Sequence, residues 1–207
     1  MMLNQYENAP YLFFFNLLDK IKLFYSTGET INNLKQIYLE ALPFMEKGWH
    51  KNDIDFQGYY SVDQYWDILT MLSIGYTLNI EQGQLDKLIA LRKVVKAPDF
   101  LLDTLCNAIQ NKPLPTQKEV MLGNTYSSLW EVLQAPSKEE ATKLLHKHLK
   151  SDWYKKSQAH SWHGSHNRNS YVGYWSFESA ALVKLLGLDD STFKGLKYYP
   201  YDLLHGN

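Results

Sequence analysis

Cysteine is almost absent from this chain, since Cys106 is the single one in 207 residues. One cysteine excludes an intramolecular disulfide framework and a cysteine-based zinc site, and it fits the reducing conditions of the cytoplasm, where we expect the protein. The chain also has no large excess of positive or negative charge, because it contains 21 Lys and Arg residues and 22 Asp and Glu residues. The net field therefore gives no general attraction to nucleic acid or to a membrane, and we expect neither as a direct partner.

Long apolar runs are also lacking. No stretch approaches the roughly 20 apolar residues that a bilayer-spanning helix needs. The most apolar N-terminal stretch, Tyr11 to Leu18, is interrupted by Asn16 and followed by Asp19. It has neither a basic segment before it nor a small-residue cleavage site after it, so it predicts a core helix and not a signal peptide.

Short motifs with a known catalytic mechanism are missing. The chain has no G-x-S-x-G nucleophile elbow, no glycine-rich phosphate loop and no H-E-x-x-H metal pair. Cys106 lies within an amphipathic pattern, as an ordinary small core residue would. These absences favour a binding protein over an enzyme, with no cofactor and no small-molecule substrate, although a catalytic set can be assembled from residues distant in sequence.

What the sequence does contain is helical periodicity. Apolar residues recur at the i, i+3, i+4, i+7 spacing from Phe14 to Tyr25, and similar patterns follow along the chain. Ser61 with Gln64 has the spacing of a capping box, and Asp99 is placed to cap the helix that follows it. No segment alternates with period two between hairpin turns. The sequence therefore predicts an all-α fold, a bundle-like array of about seven helices.

These helices are predicted to form an N-terminal and a C-terminal half. We assign residues 1–97 to an N-terminal helical module and residues 98–207 to a C-terminal one. The stretch from Lys112 to Pro115 disfavours helix before each of its prolines and is the best candidate for a physical break between two halves. The last long helix is predicted from about Trp175 to Leu186, with the following glycine as its stop.

Two further capping boxes are predicted in the C-terminal half, at Thr116 with Glu119 and at Ser137 with Glu140. The second box opens a helix whose apolar face includes His148. A histidine in such a position is usually a structural residue that makes a hydrogen bond, and we interpret it so.

A histidine cluster, His160, His163 and His166, lies in a polar loop predicted from about residue 157 to residue 171. Imidazoles at short spacing can coordinate zinc or activate water. Steps of three do not keep to one face of a helix, and the surrounding Gly and Asn residues favour a loop. We interpret these histidines as structural. A metal-dependent hydrolase that uses this loop together with Glu178 is kept as the alternative function.

Glu178 is the most unusual acid of the chain, because it falls on the apolar face of the last long helix. An enzyme would use such a carboxylate as a general base with a raised pKa. A scaffold would have it accept hydrogen bonds from buried Tyr, Trp or backbone donors. The nearby Tyr171, Tyr174 and Trp175 favour the scaffold interpretation.

Charge is distributed unevenly along the sequence. Residues 52–86 include six acids and no Lys or Arg, whereas residues 138–168 include seven basic residues against three acids. Asp63 and Asp67 lie one turn apart on the helix after the first capping box, so both are expected to project to solvent. The basic stretch is interpreted as a solvated helix face, because no recognisable DNA-binding module accompanies it.

A long motif rich in uncommon aromatic residues occupies the end of the chain. It comprises Gly173-Tyr174-Trp175-Ser176-Phe177-Glu178, then Leu185 to Ser191, then Tyr198-Tyr199-Pro200-Tyr201-Asp202-Leu203, and in order and spacing it closely resembles the PoNi-like immunity proteins. Trp153-Tyr154, Trp162, His166 and the segment Asp99 to Asp103 are similar to the same family. In the N-terminal half, Tyr25 to Ile31 and Trp49 are similar to the family's N-terminal module.

The resemblance implies an all-α protein encoded beside a secreted DNase toxin of the PoNe type, which is delivered between bacteria, with type VI secretion as the expected route. It implies neutralisation of that toxin by direct binding, and no cofactor, metal site or catalytic residue. We interpret the motif residues, including Asp189, as fold determinants that supply aromatic packing, a helix cap and a Tyr-Pro-Tyr turn.

The acidic stretch is the natural candidate for a docking surface. A nuclease cleft is built to attract a polyanion, so an inhibitor can compete by presenting carboxylates to it. We expect the surface to include Asp53, Asp55, Asp63 and Asp67, with Tyr59 and Tyr60 as aromatic anchors. A helical adaptor for a partner other than a toxin is the remaining hypothesis.

Overall fold

A computed structural model of the chain describes residues 9–49 and 60–206. Within these two ranges helices are joined by turns and irregular segments without any strand, so the predicted all-α class is confirmed. The α-helices are α1 Ala9–Ser26, α2 Ile31–Gly48, α3 Val62–Thr77, α4 Gln82–Arg92, α5 Phe100–Ile109, α6 Gly123–Tyr126, α7 Ser128–Leu133, α8 Lys138–Lys147, α9 Trp153–Lys156, α10 Phe177–Leu186 and α11 Asp202–His205. A π-helical turn, His148–Asp152, connects α8 to α9, and 3-10 turns lie at Ser165–Asn167 and Ser191–Phe193.

The described helices outnumber the predicted seven because the C-terminal half contains several very short ones. α6, α9 and α11 have four residues each, and α7 has six. Such single turns are too short to show a full hydrophobic period, so the sequence pattern does not detect them. None of the described helices combines the length and the apolar character needed to cross a membrane.

α1 and α2 pack along each other in antiparallel orientation. The end of α2 lies against the start of α1, where a Cβ atom added to Gly48 would be 2.7 Å from the Tyr11 Cα atom. The apolar face predicted for α1 is buried in this pair, with Phe14, Leu18 and Ile21 at most 1% exposed. The i, i+3, i+4 spacing therefore predicted the buried face of this helix correctly.

α3 is the central helix of the fold. α4, α5 and α10 pack against it, and thirteen of its sixteen residues are buried. Because α3 belongs to the predicted N-terminal half and α10 to the C-terminal half, both halves contribute to one hydrophobic core. The division at residue 97 stays a prediction.

Two predicted helix caps are confirmed at side-chain level. The Ser61 hydroxyl accepts from the Gln64 N–H, and the Gln64 side chain accepts from the Ser61 N–H, which completes a capping box at α3. Ser137 accepts from the Glu140 N–H at the start of α8, which is one of the two hydrogen bonds of the predicted capping box. Both caps satisfy helix N-terminal donors locally, which is why sequence spacing is sufficient to predict them.

The capping box predicted at Thr116 and Glu119 is wrong. Residues 112–120 are irregular, and the Glu119 carbonyl instead accepts from the Phe100 N–H at 2.7 Å. Pro113 and Pro115 disfavour helical backbone in the residues before them. Thr116 and Glu119 follow both prolines, so this restriction does not reach them. Their segment is irregular because it is hydrogen-bonded to α5, where Gln117 also donates to Asp103 at 3.1 Å.

Asp99 caps α5 as predicted and also joins distant parts of the chain. Its Oδ1 accepts from the N–H groups of Leu101 and Leu102 at 3.1 and 2.9 Å and from the Tyr65 hydroxyl at 3.3 Å. Its Oδ2 accepts from the Met121 N–H at 2.9 Å. Burial raises the pKa of Asp99 to about 6, although these hydrogen bonds act in the opposite direction. One carboxylate thus links α3, α5 and the segment before α6.

Asp99→Ala is expected to lower the free energy of unfolding by about 3 kcal/mol, because several buried donors lose their acceptor together. Ser137→Ala is the comparison, since it removes the hydrogen bond from one backbone N–H at an exposed cap and should cost about 1 kcal/mol. Urea denaturation of both variants at pH 7 measures the difference. Equal losses would show that Asp99 acts as an ordinary cap.

Candidate partner-binding site

The structure separates the residues that were predicted to dock a partner. Asp53, Asp55 and Tyr59 lie outside the described residues. Asp63 is half-buried in the first turn of α3. Tyr60 and Asp67 are only 3% and 1% exposed, so the predicted projection of Asp67 to solvent is wrong, and Tyr60 does not present its ring as a surface anchor.

Asp67 is buried because α3 is covered on several sides and has no solvent face at this turn. The Tyr11 hydroxyl donates to its Oδ2 at 2.8 Å. Lys22, which is buried as well, holds its ammonium group 3.9 Å above the centre of the Trp66 ring. Burial raises the pKa of Asp67 to about 7, against the attraction of Lys22, and burial lowers the pKa of Lys22.

Asp63 lines a cavity of about 150 Å³ between α1, α3 and the histidine loop. Its Oδ1 accepts from the Ser161 hydroxyl at 2.7 Å. Asp19 on α1 also lines the cavity and forms an ion pair of 3.0 Å with Lys22. With Asp67, three carboxylates face one ammonium group, so the cavity is acidic.

α1 exposes several large apolar side chains, one of which belongs to the lining of this cavity. Leu12 and Phe13 are 58% and 57% exposed, and Leu23 and Phe15 are 43% and 39% exposed. Phe15 itself lines the cavity. We refer to Phe15, Asp19 and Asp63 as the acidic edge. Exposed apolar groups next to charged ones are typical of a protein interaction surface.

The three histidines of the late loop lie in different environments. His160 is buried among three aromatic rings, and burial lowers its pKa to about 4. His163 stacks on Tyr154 with 4.5 Å between ring centres, and the Nδ1 of His166 is 2.8 Å from the Tyr174 hydroxyl. Across residues 9–49 and 60–206, no group of three or more His, Cys, Asp or Glu side chains could hold a metal ion. The loop histidines contribute aromatic packing instead.

Glu178 is buried at the start of α10 and accepts hydrogen bonds there, as the scaffold interpretation predicted. Its Oε1 accepts from the Trp153 indole N–H at 2.5 Å and from the Ser176 hydroxyl at 2.7 Å. The indole donor comes from α9 and not from the sequence neighbour Trp175. Burial raises the pKa of Glu178 to about 7, with both hydrogen bonds acting against the shift.

His148 is structural as predicted. It is 1% exposed, and its Nδ1 lies 3.0 Å from the Ser128 hydroxyl, which ties the end of α8 to α7. Burial lowers its pKa to about 4, so the imidazole is neutral in the folded protein at neutral pH.

A second and much larger cavity, of about 870 Å³, is formed by the end of α1 together with residues from Tyr154 to Asp202. We call it the tyrosine cavity, because seven tyrosines line it: Tyr25, Tyr154, Tyr171, Tyr174, Tyr198, Tyr199 and Tyr201. Tyr25 comes from the end of α1, whereas the other six lie beyond residue 150. The sequence does not predict this cavity, although both contributing segments carry motifs that resemble the family.

Hydrogen bonds hold the N-terminal and C-terminal motif residues together at the tyrosine cavity. The Trp175 indole N–H donates to the Ser26 hydroxyl at 2.8 Å, and this hydroxyl lies 3.0 Å from the Val172 carbonyl, to which it can donate. The Tyr25 and Trp175 rings meet edge to face, with 4.8 Å between centres. An added Cβ at Gly173 would collide with the Ser26 hydroxyl, so this motif position requires glycine.

Tyr198 has a backbone conformation that is uncommon for a bulky residue. Its φ is +72°, in the left-handed region, and its carbonyl accepts from the Ser176 N–H at 2.8 Å. Its ring stacks on Tyr154 with 5.1 Å between centres. Such conformations cost about 1 to 3 kcal/mol and persist where the surroundings fix them, often at functional sites.

The remaining motif residues stabilise the turns that follow α10. Asp189 caps the turn at Ser191, whose N–H donates to it at 2.9 Å. The Tyr199 hydroxyl donates to Asp190 at 2.6 Å, and the Pro200 carbonyl accepts from the Leu203 N–H. These contacts fit the interpretation of the motif as a set of fold determinants, while Tyr201 and Asp202 also line the tyrosine cavity.

Comparison with protein-family models assigns both halves of the chain. The model of the C-terminal region of the PoNe immunity proteins (PoNi) matches residues 97–203, and the model of their N-terminal region matches residues 3–90. The chain belongs to the PoNi family. The resemblance seen in the aromatic motifs is thereby confirmed, and the tyrosine cavity of this PoNi protein is built from segments of both family regions.

The fold also has a relative among solved structures. The crystal structure of protein PA2201 from Pseudomonas aeruginosa is similar, with a TM-score of 0.66 and 19% sequence identity over 90% of this chain and 71% of that one. At this identity the likeness shows the fold alone. No curated protein matches the chain.

Proposed function

We propose that this PoNi protein is a cytoplasmic, non-enzymatic inhibitor that binds a PoNe toxin with DNase activity and blocks it by occlusion. The observation that carries the proposal is the match of two PoNi family models along nearly the whole chain. Three buried titratable groups support a binding role, because Asp99, Glu178 and His148 each have hydrogen-bond partners that connect structural elements.

The acidic edge is the proposed docking surface for the toxin. Phe15 offers an apolar contact, and Asp19 and Asp63 offer negative charge next to it. A DNA-binding cleft is basic, so carboxylates speed its encounter with an inhibitor and fix the orientation of the complex. Asp53, Asp55 and Tyr59 remain proposed members of this surface, whereas the buried Asp67 accepts the hydrogen bond of Tyr11 and attracts Lys22 electrostatically.

Asp63→Lys is expected to slow association with the toxin by about tenfold at low salt, and the difference should shrink at high salt because exposed charges are screened. Asp63→Asn can keep the hydrogen bond from Ser161 and should have a smaller effect of the same sign. Glu131→Lys on α7 is the matched control, since it reverses an exposed acid away from the acidic edge. Association rates that are equal for all variants across salt concentrations would exclude Asp63 from the interface.

The proposed function is tested by co-expressing this protein with the PoNe toxin encoded beside it. We expect a complex that survives size-exclusion chromatography, and a DNA-degradation assay in which the complex is inactive while the free toxin cuts DNA. A toxin that forms no complex, or that cuts DNA equally well with a tenfold excess of this protein present, would contradict the proposal.

A further inference from the structure

We propose that the tyrosine cavity is a second docking site, which receives an acidic loop of the bound toxin. The inference rests on the proposed function and extends it, since it names a second surface and the chemistry of the segment that fills it. It concerns a different surface from the acidic edge, because the two cavities share no lining residue.

The shape of the cavity fits a polypeptide segment. About 870 Å³ of space is bounded by the faces and hydroxyls of tyrosines together with Trp175. Tyr171 is half exposed and packs edge to face on Tyr174, with 4.8 Å between ring centres. Tyrosine and tryptophan present large, rigid, amphipathic surfaces and dominate the energetics of protein interfaces.

The charge of the cavity determines which segment fits. Lys194 and Lys197 are exposed and line it, and their ammonium groups lie 5.8 and 5.1 Å from the ring centres of Tyr201 and Tyr198. Neither lysine forms an ion pair within the described part of the chain. Asp202 is the single carboxylate of the lining. Two unpaired ammonium groups beside aromatic rings are complementary to a segment that carries Asp or Glu.

The backbone around the cavity is already fixed in the unbound protein. Tyr198 is held at φ +72° between the carbonyl contact to Ser176 and the stack on Tyr154. Ser26 and Trp175, which also line the cavity, are joined by their own hydrogen bond. A wall that is ordered before binding loses little conformational entropy on association, which favours affinity.

Charge reversal at the rim tests the proposal. Lys194→Glu combined with Lys197→Glu is expected to raise the dissociation constant of the toxin complex at least about tenfold, since like charges then face the acidic loop. Lys118→Glu combined with Lys147→Glu is the matched control, because both lysines are exposed, line neither cavity and change the net charge equally. Tyr171→Ala, at an exposed ring, should raise the dissociation constant about fivefold.

Carbodiimide cross-linking of the wild-type complex identifies the occupant, because this reagent joins an amine to a carboxyl group in direct contact. We expect Lys194 or Lys197 to be linked to an Asp or Glu of the toxin. The proposal is overturned if the variant with Lys194→Glu and Lys197→Glu binds the toxin as tightly as the control variant and the wild-type complex contains no such cross-links. The proposed function would then remain intact. Failure of the wild-type protein to bind the toxin at all would overturn both.

Discussion

Gly48→Ala is expected to lower the free energy of unfolding by about 3 kcal/mol, because the added methyl group has no space between α1 and α2. It would lie 2.7 Å from the Cα of Tyr11 and 3.0 Å from the carbonyl carbon of Pro10. Both are backbone atoms, so the clash is relieved only by moving the start of α1. The higher helix propensity of alanine returns at most about 1 kcal/mol.

Gly83→Ala is the matched control for this substitution. Gly83 is also helical and is exposed, and the nearest atom to an added Cβ there is 4.0 Å away. The same chemical change should therefore stabilise α4 by up to about 1 kcal/mol. Thermal unfolding of the two variants in parallel separates packing from propensity. An unfolding temperature for Gly48→Ala equal to that of wild type would contradict the close approach of the two helices.

The second large effect is expected from Glu178→Gln and depends on pH. Burial raises the pKa of Glu178 from an ordinary value near 4.5 to about 7. The folded state therefore binds the proton more tightly than the unfolded state, so this carboxyl makes folding less favourable as pH rises from about 4.5 to 7. Glutamine does not titrate, and its side-chain oxygen can still accept from Trp153 and Ser176. The stability of wild type relative to Glu178→Gln should then fall by up to about 3 kcal/mol between pH 4.5 and pH 8.

Comparing two variants of one fold removes the other titrations in this range. Asp67 and Asp99 also have raised pKa values and act in the same direction, whereas His148 and His160 have lowered values and act in the opposite direction. These contributions are common to wild type and Glu178→Gln and cancel in the difference. A stability difference that stays constant from pH 4.5 to pH 8 would show that Glu178 does not change its ionisation with burial.

α1 connects the two proposed docking surfaces. Its middle carries Phe15 and Asp19 of the acidic edge, and its end carries Tyr25 and Ser26 of the tyrosine cavity. A shift of α1 caused by Gly48→Ala should therefore weaken toxin binding at both surfaces, even where the variant remains folded.

Features fixed by neighbouring residues could be predicted from the sequence. The Ser61 and Asp99 caps and the buried face of α1 depend on spacings of four residues or fewer, so they follow from helix geometry. The aromatic motifs are contiguous in the sequence, so they indicated the family without knowledge of the tertiary structure. The burial of Glu178 was also predictable, since an acid on an apolar helix face has to enter the core.

Other features depended on which elements meet in space. Asp67 was expected at the surface because a helix usually keeps one solvated face, but α3 is covered by α4, α5 and α10 and by side chains of α1. Thr116 and Glu119 have the spacing of a capping box, yet their segment is irregular and is hydrogen-bonded to α5 instead. The tyrosine cavity required contacts such as that between Ser26 and Trp175, which are 149 residues apart.

The sequence by itself determined the all-α class, the principal helix caps and the membership of the PoNi family, because each depends on short spacings or on a contiguous motif. Only the tertiary structure decided which acids reach solvent and which aromatic residues share a cavity. The physical reason is that helical periodicity orders side chains around one axis, whereas exposure depends on how many other helices cover that axis.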